Sequence, residues 1–190
     1  MEHQITCGFI GLGLIGGSIA RALRQYHPDY RLIGYDVNRE ATALAVSEGI
    51  LDLELSSISS EFSSCDYIFL CAPVSFNDEN LLALKAYLSK DCLLTDVGSV
   101  KAMVREQVKA VGLEHCYVGA HPMAGNELSG WESSDPTLYD GALWAITVDE
   151  NTEYQRFRAV ATMIVDHCSN RLIVLDDATH DRCAALISHM

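Results

Sequence analysis

Basic side chains are scarce in this 190-residue chain: 13 lysines and arginines stand against 26 aspartates and glutamates, a formal net charge of -13. Binding a nucleic-acid backbone needs clustered Lys and Arg to displace counterions, so nucleic acid is not an expected partner. The seven cysteines, at positions 7, 65, 71, 92, 116, 168 and 183, contain no Cys-x-x-Cys pair and no metal-ligand spacing. An odd, scattered set in a core-rich chain indicates buried thiols in a reducing compartment, with no disulfide framework and no metal centre. Also missing is any apolar run near the roughly 18 to 20 residues that span a bilayer. Met1-Glu2-His3-Gln4 lacks the basic start and apolar stretch of a secretory signal. The expectation is a cytoplasmic protein that binds neither membrane nor nucleic acid. There is no internal repeat, and 190 residues at 49% hydrophobic content leave room for one substantial core and little more.

What is present is an alternation of short apolar runs and helical periodicities, the pattern of a mainly parallel sheet covered by helices on both faces. Strands are expected at Thr6 to Ile10, Arg31 to Tyr35, Tyr67 to Leu70, Cys92 to Thr95, Tyr117 to Ala120, Ala142 to Val148 and Arg171 to Leu175, with a weak one near Leu53. Helices are expected over Leu14 to Tyr26, Arg39 to Glu48, Phe76 to Tyr87, Val100 to Val111 and Thr152 to His167. A last helix begins at Asp177 and breaks off at Ile187-Ser188-His189-Met190, as expected of a piece of a longer protein.

Five segments at the carboxyl ends of the expected strands carry the chemistry. Gly11-Leu12-Gly13-Leu14-Ile15-Gly16 follows the first strand and opens a helix, the context in which three glycines allow a tight turn, close approach of a pyrophosphate and close helix packing. Asp36 closes the second strand twenty residues after Gly16. There it either accepts hydrogen bonds from an adenosine ribose, favouring NAD over NADP, or caps the next helix. Cys71-Ala72-Pro73-Val74 is either a plain strand-ending turn or, with its small side chains at Ala72 and Pro73, a place where a cofactor lies close. In Asp96-Val97-Gly98-Ser99-Val100-Lys101, Gly98 permits a tight turn and Ser99 either caps a helix or donates into the crevice. Lys101 is expected to be solvated. His121, just past a strand and between Ala120 and Pro122, is either a structural histidine or a group that exchanges a proton near neutral pH. The long loop from Asn126 to Gly141 is a lid or a packed surface loop, and its Glu127 is a further site candidate.

Three stretches, Gly-Leu-Gly-Leu-Ile-Gly-Gly-Ser from Gly11, Asp-Val-Gly-Ser-Val-Lys from Asp96 and His-Pro-Met-Ala-Gly-Asn-Glu-Leu-Ser-Gly from His121, resemble the prephenate dehydrogenase family. The likeness runs from the first strand to His189 and takes in Thr179-His180-Asp181 and Ile187-Ser188-His189. It implies a Rossmann-type NAD-binding domain over residues 1–175, then at 176–190 the first helix of an all-α domain that dimerises and completes the substrate pocket. It also implies NAD-dependent oxidative decarboxylation of prephenate to 4-hydroxyphenylpyruvate in tyrosine biosynthesis. His121 matches the catalytic base and Ser99 the serine that orients it, while Ser188 and His189 join Ser99, His121 and Glu127 as substrate-binding candidates.

Relatives continue for several helices beyond the position of Met190 and carry an arginine there for the substrate carboxylate, so this chain is expected to bind NAD and turn over prephenate poorly or not at all. Arogenate is the alternative substrate, and a noncatalytic NAD-binding or redox-sensing module is the alternative of another class. A β-hydroxyacid dehydrogenase is disfavoured, because that family uses a lysine in the helix after the nucleotide domain and none follows Lys109 here.

Overall fold

The computed structural model describes residues 3–125, 127–167 and 171–188. Eight strands form one sheet in the order β3-β2-β1-β4-β5-β6-β7-β8. They are β1 (Thr6–Ile10), β2 (Arg31–Tyr35), β3 (Leu53–Leu55), β4 (Tyr67–Leu70), β5 (Leu93–Asp96), β6 (Tyr117–Pro122), β7 (Leu143–Thr147) and β8 (Arg171–Leu175). The helices are α1 (Leu14–Tyr26), α2 (Arg39–Ser47), α3 (Asn77–Lys85), α4 (Lys101–Val111), α5 (Tyr154–His167) and α6 (Asp177–Ser188). The central strands are buried on both faces, as their unbroken apolar sequences require.

One core packs Cys7 and Phe9 of β1 against Ile19 and Leu23 of α1, Ala41 and Ala45 of α2 and Val160 and Ile164 of α5. The other packs Ile10 with Leu81 and Leu84 of α3 and Val104 and Val108 of α4. Successive side chains of β1 thus enter opposite layers, the period of two that a strand imposes. This is the expected α/β doubly wound fold, and α6 follows it, packed on α4.

Every neighbouring pair of strands is parallel except β6 with β7. A parallel return needs a crossover, usually a helix, and between these two strands the described residues form only a short 3-10 turn at Trp131–Ser133. The chain therefore comes back antiparallel, and α5 then carries it over to a parallel β8. This reversal also lengthens β6. His121 and Pro122 pair with Ala145 and Trp144 of β7, so His121 lies within a strand and not just past one.

Candidate active site

The dinucleotide half of the site forms where strand order reverses, between β1 and β4. Gly11 has φ +99°, and a Cβ there would stand 2.5 Å from the Ala72 nitrogen. A Cβ on Gly16 would stand 2.3 Å from the Gly11 carbonyl, whereas one on Gly13 would meet nothing within 4 Å. The turn is thus closed on its protein side and open at Gly13, which is also the N-cap of α1 and supplies no side chain to its amides. An uncapped helix start beside an open glycine is an anion cradle. The side chains of Leu12 and Leu14 are buried in the core, and that of Ile15 packs against it.

Gly11 and Gly13 line a pocket of about 140 Å³ with Asp36, Ala72 and Phe76. Asp36 accepts from Leu12 N–H at 2.6 Å and Asn38 N–H at 2.7 Å, one bond on each oxygen. A carboxylate has about four acceptor sites, which leaves capacity for ribose hydroxyls. The cap of α2 is Asn38, through a bond from Glu40 N–H at 3.1 Å, and not Asp36. Arg39 turns away to the Leu55 carbonyl at 2.8 Å and to Glu54. Pro73 opens a short 3-10 turn at Val74–Phe76. Two larger grooves, of about 320 and 450 Å³, open beside Tyr67 and Gln155 at the amino ends of the strands, away from every motif. Ligands in open α/β sheets sit at the carboxyl ends.

The histidine half is a pocket of about 390 Å³ whose walls include Ser99, His121, Met123, Asp181 and Ile187. Beneath it lies a polar cluster that local sequence did not reveal. Lys101 is fully buried, paired with Asp96 and bonded to the Ala120 carbonyl at 2.8 Å. Asp96 also accepts from Tyr117 Oη at 2.7 Å and Gly98 N–H at 2.8 Å. The expected solvated lysine is instead the internal cation of the site. Its carboxylate stands five residues upstream and its carbonyl acceptor on another strand, so no helical spacing announced either. Gly98 is needed for close approach, since a Cβ there would stand 2.9 Å from Val74 Cγ2.

Ser99 does not cap α4. The N-cap is Val100, which makes no side-chain bond, and the cap comes from α6: Asp181 accepts from Lys101 N–H at 2.7 Å and Ala102 N–H at 3.0 Å. Ser99 is thereby left exposed in the pocket wall. Arg105, paired with Asp177 and bonded to the Thr147 carbonyl at 3.2 Å, fastens the start of α6 to the sheet. His121 Nδ1 lies 3.0 Å from His180 Nε2, and His180 Nδ1 lies 2.8 Å from Asp181 Oδ1. Burial, then the Lys101 ammonium and the His180 ring, push the His121 imidazole down to about 4. It is neutral at physiological pH and able to accept a proton.

The loop after β6 is packed. Tyr139 donates to the Ile15 carbonyl at 2.9 Å, Asp135 N–H donates to Ser18 Oγ at 2.9 Å, and Arg21 stacks 4.2 Å from the buried Trp131 ring. These contacts bolt residues 131–139 to α1. Glu127 is exposed and does not line the pocket. His189 lies outside the described residues, as do Asn126 and the side chain of Ser188.

A family model described as prephenate dehydrogenase, nucleotide-binding domain, matches residues 19–174. The prephenate dehydrogenase of Lactococcus lactis is 32% identical over 183 residues, which cover 95% of this chain and 49% of that protein. The crystal structure of the A. aeolicus prephenate dehydrogenase in complex with hydroxyphenyl propionate and NAD+ superposes with a TM-score of 0.91 at 32% identity, covering 100% of this chain and 65% of that one. Synechocystis arogenate dehydrogenase superposes with a TM-score of 0.88 at 28% identity, covering 97% and 64%. The chain spans about half the length of the curated relatives it matches. With a glycine turn, a strand-end aspartate and a neutral histidine on one sheet edge, and with most of its length matched, the chain belongs to the prephenate dehydrogenase family through its nucleotide-binding domain.

Proposed function

We propose that this chain binds NAD and supplies the proton-accepting half of an oxidative decarboxylation of prephenate to 4-hydroxyphenylpyruvate. The observation that carries the reading is His121, neutral and on the wall of a pocket it shares with Ser99. The residues of the glycine turn fit the cofactor: Gly13 is open, the start of α1 is uncapped and Asp36 has acceptor capacity for the ribose. Asp36 repels a 2′-phosphate and Arg39 is engaged elsewhere, which supports NAD over NADP. Bound nicotinamide supplies the hydride acceptor.

His121 takes the proton of the ring hydroxyl as hydride leaves the carbon that bears it. The electrons of the carboxylate bond then close the aromatic ring as carbon dioxide departs, and the proton returns to the phenolate oxygen. Ser99, free of helix capping, orients the hydroxyl from the same wall. The described wall residues include Asp181 but no lysine or arginine, so the substrate carboxylates need cationic partners from outside this set. Turnover by these 190 residues alone is accordingly proposed to be poor or absent.

Arogenate is the second reading. It is favoured by the likeness to the Synechocystis enzyme and differs from prephenate at the side chain, not at the reacting ring. The test follows NADH absorbance in the full-length protein with each substrate, for wild type and His121→Asn. The expected result is a fall in kcat of roughly 10²–10⁴-fold, the usual contribution of a positioned base, with NAD affinity unchanged. Survival of turnover within a few-fold overturns His121 as the base, whereas NAD binding without NADH formation from either substrate in wild type makes the domain a noncatalytic cofactor module.

A further inference from the structure

We propose that His180 and Asp181 of α6 fix the proton of His121 on Nδ1, so that Nε2, the nitrogen α6 does not engage, is the atom that accepts the substrate proton. The proposal rests on the reading of His121 as the base, and makes His180 and Asp181 positioning residues for it.

The amides of Lys101 and Ala102 both donate to Asp181, at 2.7 and 3.0 Å, and fix where its carboxylate stands. Burial opposes ionisation there, but the bonds from Lys101, His180 and Ala102 outweigh it and hold the carboxyl below its usual range. An ionised carboxylate only accepts, so the 2.8 Å contact to Asp181 Oδ1 puts a hydrogen on His180 Nδ1. In a neutral ring the other nitrogen is then a bare acceptor. The 3.0 Å contact between His180 Nε2 and His121 Nδ1 requires one hydrogen, and His121 must supply it. The ring planes meet at 73° with centroids 5.1 Å apart, an edge-on approach that suits a hydrogen bond to an in-plane lone pair.

The competing assignment makes His180 an imidazolium donating from both nitrogens. That would place a second cation in a ring only 2% exposed, next to a histidine already under the field of the buried Lys101 ammonium. Local sequence holds His180 in place: Asp176 accepts from Thr179 N–H at 2.8 Å, and its carbonyl accepts from His180 N–H at 3.0 Å. When His121 becomes charged, its Nδ1–H points into a chain of acceptors that ends on a carboxylate. No proton needs to travel along it, only to be held in place.

The test reads ring protonation directly. The chain is labelled with 15N-histidine, and two-bond 15N–1H spectra are recorded at neutral pH for wild type, His180→Gln and His180→Phe. Glutamine keeps an acceptor for His121 and phenylalanine removes it. The expected result is His121 protonated on Nδ1 alone in wild type and in the glutamine variant, with Nε2–H gaining in the phenylalanine variant. In the full-length protein, His180→Phe should lower kcat by at least about tenfold, toward the roughly 10⁴-fold cost of a misoriented tautomer in a serine-protease triad. KM and NAD affinity should hold, and His180→Gln should recover most of the rate.

Wild-type His121 protonated on Nε2, His180 protonated on both nitrogens, or equal kcat in both variants overturns the proposal, and the wild-type spectrum decides even if His180→Phe fails to fold. Turnover surviving in His121→Asn overturns the base reading and the positioning role with it. An Nε2–H wild type alongside an inactive His121→Asn overturns the tautomer assignment alone.

Discussion

Lys101 shows how far a single residue's role depends on partners distant in the chain. A lysine in the first turn of a helix ordinarily reaches solvent along its flexible stem. Here the stem runs inward to Asp96 and the Ala120 carbonyl. Removing one partner of a buried pair strands the other charge and costs about 3–5 kcal/mol, so Lys101→Met should lose roughly that much stability in urea unfolding. The same variant should act on His121, which the Lys101 ammonium helps to hold unprotonated. A base works when deprotonated, so kcat/KM is full above the pKa and falls as pH drops through it. The acid limb of wild type should therefore lie well below 6.5, toward 4, and should move up in Lys101→Met. A wild-type limb at 6.5 would refute the account of His121's surroundings.

At the scale of elements, the glycine turn was legible because its constraints are local. A strand, three glycines and a helix in fixed order leave few conformations, and Gly11 with φ +99° holds the position where only glycine is unstrained. The glycines nevertheless differ in what they do, which separates binding from folding. Gly13→Ala should leave the melting temperature unchanged, since its Cβ meets no protein atom within 4 Å. It should weaken NAD binding by about tenfold or more, ~1.4 kcal/mol, in a calorimetric titration. Gly16→Ala, with its Cβ 2.3 Å from the Gly11 carbonyl, should damage the fold itself. The cap of α4 was not legible in this way. Ser99 stands where a local cap belongs, yet Asp181, eighty residues away in sequence, makes the bonds.

For the whole molecule, the sheet ends in an edge strand with Ile173 and Val174 partly exposed, and α6 leaves Leu186 and Ile187 69% and 54% exposed. Leu186 and Ile187 are neighbours on α6, and exposed apolar surface of this kind marks an interface. These 190 residues should therefore self-associate as concentration rises, which light scattering would record as a growing mass. Leu186→Lys should suppress it, and a constant monomer mass across the range would refute the expectation.

The sequence by itself determined the strand and helix order, the dinucleotide turn, Asp36 and the pairing of His121 with Ser99 as candidates, because each is written in local periodicity or in a motif at a strand end. Tertiary structure decided the antiparallel turn at β6, the packed state of the 131–139 loop, the burial of Lys101 and the link from His121 through His180 to Asp181. Each of those depends on at least one hydrogen-bonding partner 19 or more residues away in the chain. A buried polar group is held by whatever the fold brings to it, and that partner has no fixed spacing in the chain.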